Sequence, residues 1–327
     1  MALPRLRAGI GKPAAVLAAL TLLLAACGDD DGDSASTGGG QTKLTVAALP
    51  LTDSAALYIA RDRGLFKKEG LDVTIQPVQQ SIQALPALAK GQVDVIASAN
   101  YVTFLQADEK GTLDVRILAE GVRVAPHMMD VLVAKDAEKS GIRSVADLAG
   151  KKVAVNILNN IQSLTLNAIL DAQGVGRPVY RQIPFPQMGP ALERNQVDAV
   201  HAVEPFDSAI QGELKAKVLL DGGSAPVQSL PISGYVTTQK FASGHAKEAA
   251  AFRRAIEAAS KIAAQDPNAV RQELPKYTKV TADQAKSIGL PAYPTSTDVA
   301  QLRRLTELMK KQGLLKKDID PATLLVK

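Results

Sequence analysis

The stretch Pro86-Ala87-Leu88-Ala89-Lys90-Gly91-Gln92-Val93-Asp94 returns 104 residues later as Pro190-Ala191-Leu192-Glu193-Arg194-Asn195-Gln196-Val197-Asp198, with six of nine positions identical. Each copy reads as the end of a helix, a tight turn and the start of a buried strand. One such copy in each half of the chain implies two similar α/β units, and hence a two-lobed protein.

Outward from these copies, short β-branched runs alternate with longer amphipathic stretches, the pattern of an α/β protein with mostly parallel sheets. Strands are expected at 44–48, 73–75, 93–97, 115–118, 131–134, 153–155, 179–183, 197–202, 217–220 and 235–238, and helices at 55–63, 81–89, 161–172, 188–194, 246–264 and 297–312. The last ninety residues hold almost no strand. Ligands of open α/β sheets bind beyond the carboxyl ends of strands. The residues in that position after the repeat are Ser98, Ala99, Asn100 and Tyr101 in one unit and Val203, Glu204, Pro205 and Phe206 in the other. The offset makes Asn100 and Glu204 equivalent, so two lobes would present polar groups to one cleft.

The amino end reads as an address. Arg5, Arg7 and Lys12 precede an apolar run at 14–26, which fits a signal-peptide core better than a membrane span of about twenty residues. The run ends Leu24-Ala25-Ala26-Cys27-Gly28, which resembles the lipobox of bacterial lipoproteins; residues 1–26 are then a signal peptide and Cys27 the lipidated residue. Residues 27–42, with four aspartates, serines and glycines and no large apolar side chain, read as a flexible tether. The expected location is the extracytoplasmic face of the cell membrane.

With 46% hydrophobic and 22% charged residues, 327 residues are enough for two packed units. No polytopic span excludes a channel or permease. A net charge of +5 spread along the chain is too weak for a nucleic-acid binder, and one cysteine excludes disulfide scaffolds and cysteine-rich zinc sites.

Further stretches carry a family resemblance: Ala47 to Pro50, Ser54 to Ala60, Gly64-Leu65-Phe66, Glu69-Gly70-Leu71-Asp72-Val73, Ser144-Val145-Ala146-Asp147-Leu148-Ala149-Gly150-Lys151-Lys152, Gln196-Val197-Asp198-Ala199-Val200, Glu204-Pro205-Phe206 and Ser233-Gly234-Tyr235. Together they resemble the nitrate, sulfonate and taurine ABC transporter binding proteins over about residues 43 to 310. The resemblance implies a type II periplasmic-binding fold, with lobe I at 43–131 and 238–327, lobe II at 132–237, and crossovers near 131–135 and 234–238. It further implies a monomer that closes on a small-molecule solute and docks on an ABC permease with its ATPase.

The candidate site follows. Asp53 or Ser54 should cap the helix after the first strand; that helix start also aims amide groups at the cleft, which suits an anion contacted by Ser54 more than by the acidic Asp53. Asn156, Asn159, Asn160 and Gln162 lie between a strand and a helix, and the resemblance puts this helix start on the cleft, favouring Asn160 and Gln162. Glu204 could pair with a solute amine, bridge to Arg123 or cap the Pro205 helix. Ser98 and Asn100 follow a paired strand, Tyr101, Phe206 and Tyr235 could wall the cleft, and His127 could donate to a ligand. The three histidines, His127, His201 and His245, have no metal-ligand spacing, so neither a metal site nor a cofactor is expected, and His201 reads as lying beside the core.

No G-x-S-x-G, H-E-x-x-H or P-loop occurs in the body, so no enzyme is expected. A relative of the implied fold that makes the thiamine pyrimidine uses a cysteine-rich motif that Cys27 alone cannot supply. The expected solute is a sulfonate or taurine, then nitrate or bicarbonate, although only Arg123 follows a cleft-facing strand. The alternatives are a thiamine-precursor pyrimidine, read by Glu204 or Asn100 between aromatic walls, and a sensory lipoprotein without transport.

Overall fold

A computed structural model describes residues 41–326. The expected signal peptide and Cys27 lie outside the described residues, while β1 begins at Thr42, inside the expected tether.

Among the described residues ten strands form two five-stranded sheets. They are β1 Thr42–Ala48, β2 Leu71–Pro77, β3 Val95–Asn100, β4 Val115–Arg123, β5 Asp130–Val133, β6 Lys152–Val155, β7 Val179–Gln182, β8 Ala199–His201, β9 Lys217–Asp221 and β10 Pro231–Thr238. The orders are β2-β1-β3-β10-β4 and β7-β6-β8-β5-β9. In each sheet the second strand, β1 or β6, pairs parallel with both neighbours, and the fourth strand, β10 or β5, runs antiparallel between its own neighbours. Each antiparallel strand therefore comes from the far side of a crossover, as the α/β two-lobed reading requires.

The crossovers do not fall where expected. Residues 131–133 and 234–238 hydrogen-bond inside the sheets as parts of β5 and β10, and the chain passes between sheets at 124–129 and 222–230. The passages contain Pro126, Gly222, Gly223 and Pro226, which break strand pairing, whereas the β-branched runs on either side complete it.

The repeat holds in three dimensions. The Gln92 N–H donates to the Ala87 carbonyl at 2.9 Å and the Gln196 N–H to Ala191 at 2.9 Å. Gly91 and Asn195 occupy matching left-handed positions, with φ of 70° and 54°, which is why glycine and asparagine alternate there. The Asp94 carboxylate accepts the Thr45 N–H at 2.7 Å and its own N–H donates back to the Thr45 carbonyl at 2.9 Å. Asp198 does the same to Lys152, at 2.7 and 2.8 Å.

The inner strand β3 is buried on both faces, so Val95, Ile96, Ala97 and Ala99 form a run with no exposed surface. Helix Ala246–Gln265 buries Ala249, Phe252, Ile256, Ala259 and Ala263 at helical spacing, and Phe252 stacks on Phe66 at 5.2 Å. Among the described residues no helix is long and apolar enough to cross a membrane.

Candidate functional site: a cavity between the sheets

The carboxyl ends of β1, β3, β6 and β8 converge on one small cavity of about 40 Å³. After β1 come Leu49, Leu51 and Asp53; Ser98 and Asn100 end β3; Asn156 and Ile157 follow β6; Val203 follows β8. Asn160, Ile161 and Gln162 open helix Ile161–Ala172, Phe185 opens helix Phe185–Glu193, and Ser81, Met128, Ile232 and Ser233 complete the wall.

Among the described residues Asp53 is the only ionisable one in this lining. It is 6% exposed, and the Ser233 hydroxyl donates to its Oδ2 at 2.6 Å. Burial penalises the carboxylate more than this bond favours it, so its pKa is pushed up to about 6. The other polar groups are neutral and tied to one another. The Asn160 Oδ1 accepts the Gln162 and Ser163 N–H groups at 3.1 and 3.5 Å, and its Nδ2 donates to Gln162 Oε1 at 3.1 Å. The Asn156 N–H also donates to Gln162 Oε1, at 2.8 Å, and the Gln162 amide donates to the His201 carbonyl.

Several bonds join the two halves around the cavity. Gln80 Nε2 donates to the Asn156 carbonyl at 2.5 Å, Gln106 Nε2 to the Asn159 carbonyl at 2.8 Å, and the Thr52 N–H to the Glu204 carbonyl at 3.4 Å.

Of the expected residues, Asp53, Ser98, Asn100, Asn160 and Gln162 line the cavity. Neither Asp53 nor Ser54 caps the helix through its side chain, because Thr52–Ser54 form a 3-10 turn ahead of it. The Ser54 hydroxyl is buried behind the lining, donating to the Leu49 carbonyl at 2.6 Å and meeting Ser98 Oγ at 2.7 Å. Asn100 does cap its helix, accepting the Thr103 N–H at 3.4 Å.

Glu204 lies outside the cavity lining. Its Oε2 accepts the Ser208 N–H at 3.1 Å, and its Oε1 accepts the Ser208 hydroxyl at 2.6 Å and the Gly289 N–H at 3.1 Å. Its pKa is raised by burial. Beside it, burial and the charges of Asp130 and Glu204 push Asp207 up to about 8. The expected bridge from Glu204 to Arg123 does not form, since Arg123 holds both oxygens of Glu120, at 2.6 and 2.9 Å.

The aromatic walls also differ. Tyr101 and Tyr235 are 1% exposed inside the first sheet's core, and among the described residues their hydroxyls have no partner in good hydrogen-bond geometry. A Cβ on Gly234 would collide with the Tyr101 hydroxyl. Phe206 stacks behind Phe185 at 5.6 Å, so Phe185 presents the ring. His127 is exposed on the first crossover, outside the lining. His201 is fully buried in β8, where burial lowers its pKa to about 4.

The lining residues without a forecast role are instructive. Asn156 directly follows β6, so the carboxyl-end rule applied to that strand points to it. Ser233 sits on antiparallel β10, whose carboxyl end faces elsewhere, and Phe185 opens a helix whose start the sequence placed at Met188.

Residues 51–270 match the family described as NMT1/THI5 like. A Haemophilus influenzae protein assigned provisionally to thiamine biosynthesis is 26% identical over 279 residues, 81% of this chain and 85% of that one. The alkanesulfonate-binding protein SsuA of Xanthomonas axonopodis pv. citri, bound to MOPS, superposes with a TM-score of 0.72 at 18% identity, over 87% of this chain and 98% of that one. The zinc-bound ligand-binding component of an ABC-type import system from Staphylococcus aureus gives 0.76 at 16%, over 88% and 97%. The fold is therefore that of the periplasmic binding proteins, and the chain belongs to the NMT1/THI5-like family.

Proposed function

We propose that this protein is the extracytoplasmic solute-binding component of an ABC importer, anchored through lipid on Cys27, and that it captures a small amine-bearing heteroaromatic in the cavity between its sheets. It acts as a monomer, does no chemistry, and passes its solute to a permease driven by an ATPase. We assign lobe I to residues 41–123 and 231–326 and lobe II to 130–221, with rotation at the two crossovers admitting the solute.

The observation that carries the ligand class is the charge of the lining, which among the described residues holds one carboxylate, Asp53, and no Lys, Arg or His. A carboxylate pairs with an amine or with the ring nitrogen and amino group of an aminopyrimidine, and it repels an anion. The helix start expected to hold an anion, after β1, carries the Asp53 carboxylate itself, and at the other helix start on the cavity, Ile161–Ala172, Asn160 Oδ1 already accepts the Gln162 and Ser163 amides. Phe185, with Leu49, Leu51, Ile157, Ile161 and Val203, supplies apolar and aromatic walls for a flat ring. The sulfonate, nitrate and bicarbonate expected first from the sequence thus give way to its pyrimidine alternative, read by Asp53 rather than Glu204. The name of the Haemophilus relative points the same way.

Thermal unfolding with a thiamine-precursor aminopyrimidine, taurine, alkanesulfonates, nitrate and bicarbonate tests this. A ligand at 100 times its Kd adds about 2.7 kcal/mol, a shift of several degrees. The aminopyrimidine should move the transition and alkanesulfonates should not; a shift with alkanesulfonates or nitrate alone would overturn the ligand class.

A further inference from the structure

The three groups of interest lie outside the cavity, where the two crossovers meet the second sheet. His127 is on the first crossover, Asp130 opens β5, and Asp221 closes β9 where the second crossover begins. Strand register sets Asp130 opposite Asp221. One potential ligand atom from each of the three residues lies within 4.8 Å of the other two.

Their hydrogen bonds leave capacity for a cation. The Asp221 Oδ1 accepts the His127 and Gly223 N–H groups at 3.0 and 2.7 Å, which fixes the carboxylate. His127 Nδ1 stands 3.2 Å from Asp130 Oδ2. The Asp130 side chain is 2% exposed, yet among the described residues its Oδ1 has no hydrogen-bond partner of good geometry. Buried carboxylate oxygens are paired, hydrogen-bonded or metal-bound in folded proteins. Behind Asp130, the Asp207 carboxylate accepts its N–H at 2.8 Å. Among the described residues neither Asp130 nor Asp221 forms an ion pair with Lys or Arg.

We propose that His127, Asp130 and Asp221 form a divalent-cation site of the zinc class that ties together the lobe II ends of the two crossovers. One imidazole nitrogen with two carboxylates suits zinc, whereas calcium and magnesium favour fuller oxygen shells. Metal–ligand bonds of about 2 Å require the three atoms to draw slightly closer. His127, with a side chain 66% exposed, can turn to close that gap, and its open side leaves room for water as a further ligand. Sequence spacing concealed the site because Asp221 lies far along the chain from His127 and Asp130.

Calorimetric titration of Zn²⁺ alone into chelator-stripped, purified full-length protein tests the proposal. A saturable site should appear, and the melting temperature should rise by several degrees. His127→Ala alters an exposed side chain, so the stripped variant should melt with the wild type while binding Zn²⁺ at least tenfold more weakly. Asp130→Asn should weaken binding as well. X-ray absorption of the loaded protein should report nitrogen and oxygen neighbours, which separates this site from any metal held by Cys27. Absence of saturable binding, unchanged affinity in His127→Ala, or a sulfur neighbour at the bound ion would overturn the proposal.

Discussion

The two copies of the nine-residue repeat fold alike and then part company. Asp94 and Asp198 make the same pair of bonds to the strand beside them, at nearly equal lengths. Six residues further on the equivalence ends: Asn100 faces the cavity while capping its helix, and Glu204 turns to Ser208 and Gly289. Bonds between a carboxylate and the adjacent strand serve any unit of this architecture, so both copies keep them. The residues past the strand answer to different surroundings in each half, and a solute needs no symmetry.

Glu204→Ala should have the largest effect on that comparison. It strips three donated hydrogen bonds from a buried carboxylate, leaving the Ser208 and Gly289 amides unpaired, and should cost about 3 kcal/mol or more in denaturant unfolding. Asn100→Ala, which removes a helix cap, should cost about 1 kcal/mol. Equal losses would mean that the two positions are equivalent after all.

The pH dependence of stability sharpens the contrast between Asp53 and the repeat aspartates. The Asp53 carboxyl ionises near 3.8 when unfolded and at about 6 when folded. Between those values the unfolded chain has already lost a proton that the native state keeps, so this group's contribution falls as pH rises through the window. The fall is at most about 3 kcal/mol and is complete above the folded pKa. Asp53→Asn should flatten stability between about pH 4 and 6; an unchanged slope would place the titration elsewhere.

Asp94→Ala and Asp198→Ala should each cost about 2 kcal/mol, through the loss of one charge-assisted bond to a strand amide. The prediction is their similarity, measured by urea unfolding, and a large disparity would break the structural repeat. Smallest of all should be Tyr101→Phe and Tyr235→Phe. Among the described residues both buried hydroxyls lack a partner in good hydrogen-bond geometry, so their removal should change stability by under about 1 kcal/mol and can raise it.

The fold was legible because the signals that set it are local. Runs such as Val95-Ile96-Ala97 are apolar on both faces, and turns with Gly91 or Asn195 carry their own backbone geometry. Sheet membership was less legible: β5 and β10 read correctly as strands, but a hydrophobic run does not state which sheet it joins. The crossovers were therefore expected inside them. Among the residues lining the cavity, Asn100, Asn160 and Gln162 were indicated by the carboxyl-end rule or the resemblance. The relative placement of Glu204 and Asp53 depends on two distant contacts that the sequence does not display. Glu204 is drawn away by Gly289, 85 residues on, and Asp53 is held at the cavity by Ser233, 180 residues on. Neither partner is marked by spacing or periodicity.

The central claim is that Asp53 selects an amine-bearing solute in a cavity without a compensating cation. Its most direct test is isothermal titration of a thiamine-precursor aminopyrimidine into the wild type and Asp53→Asn at neutral pH. The account predicts saturable binding to the wild type and at least a tenfold loss in the variant, about 1.4 kcal/mol. Equal affinity in the two proteins, or tighter binding of an alkanesulfonate to the wild type, would contradict it.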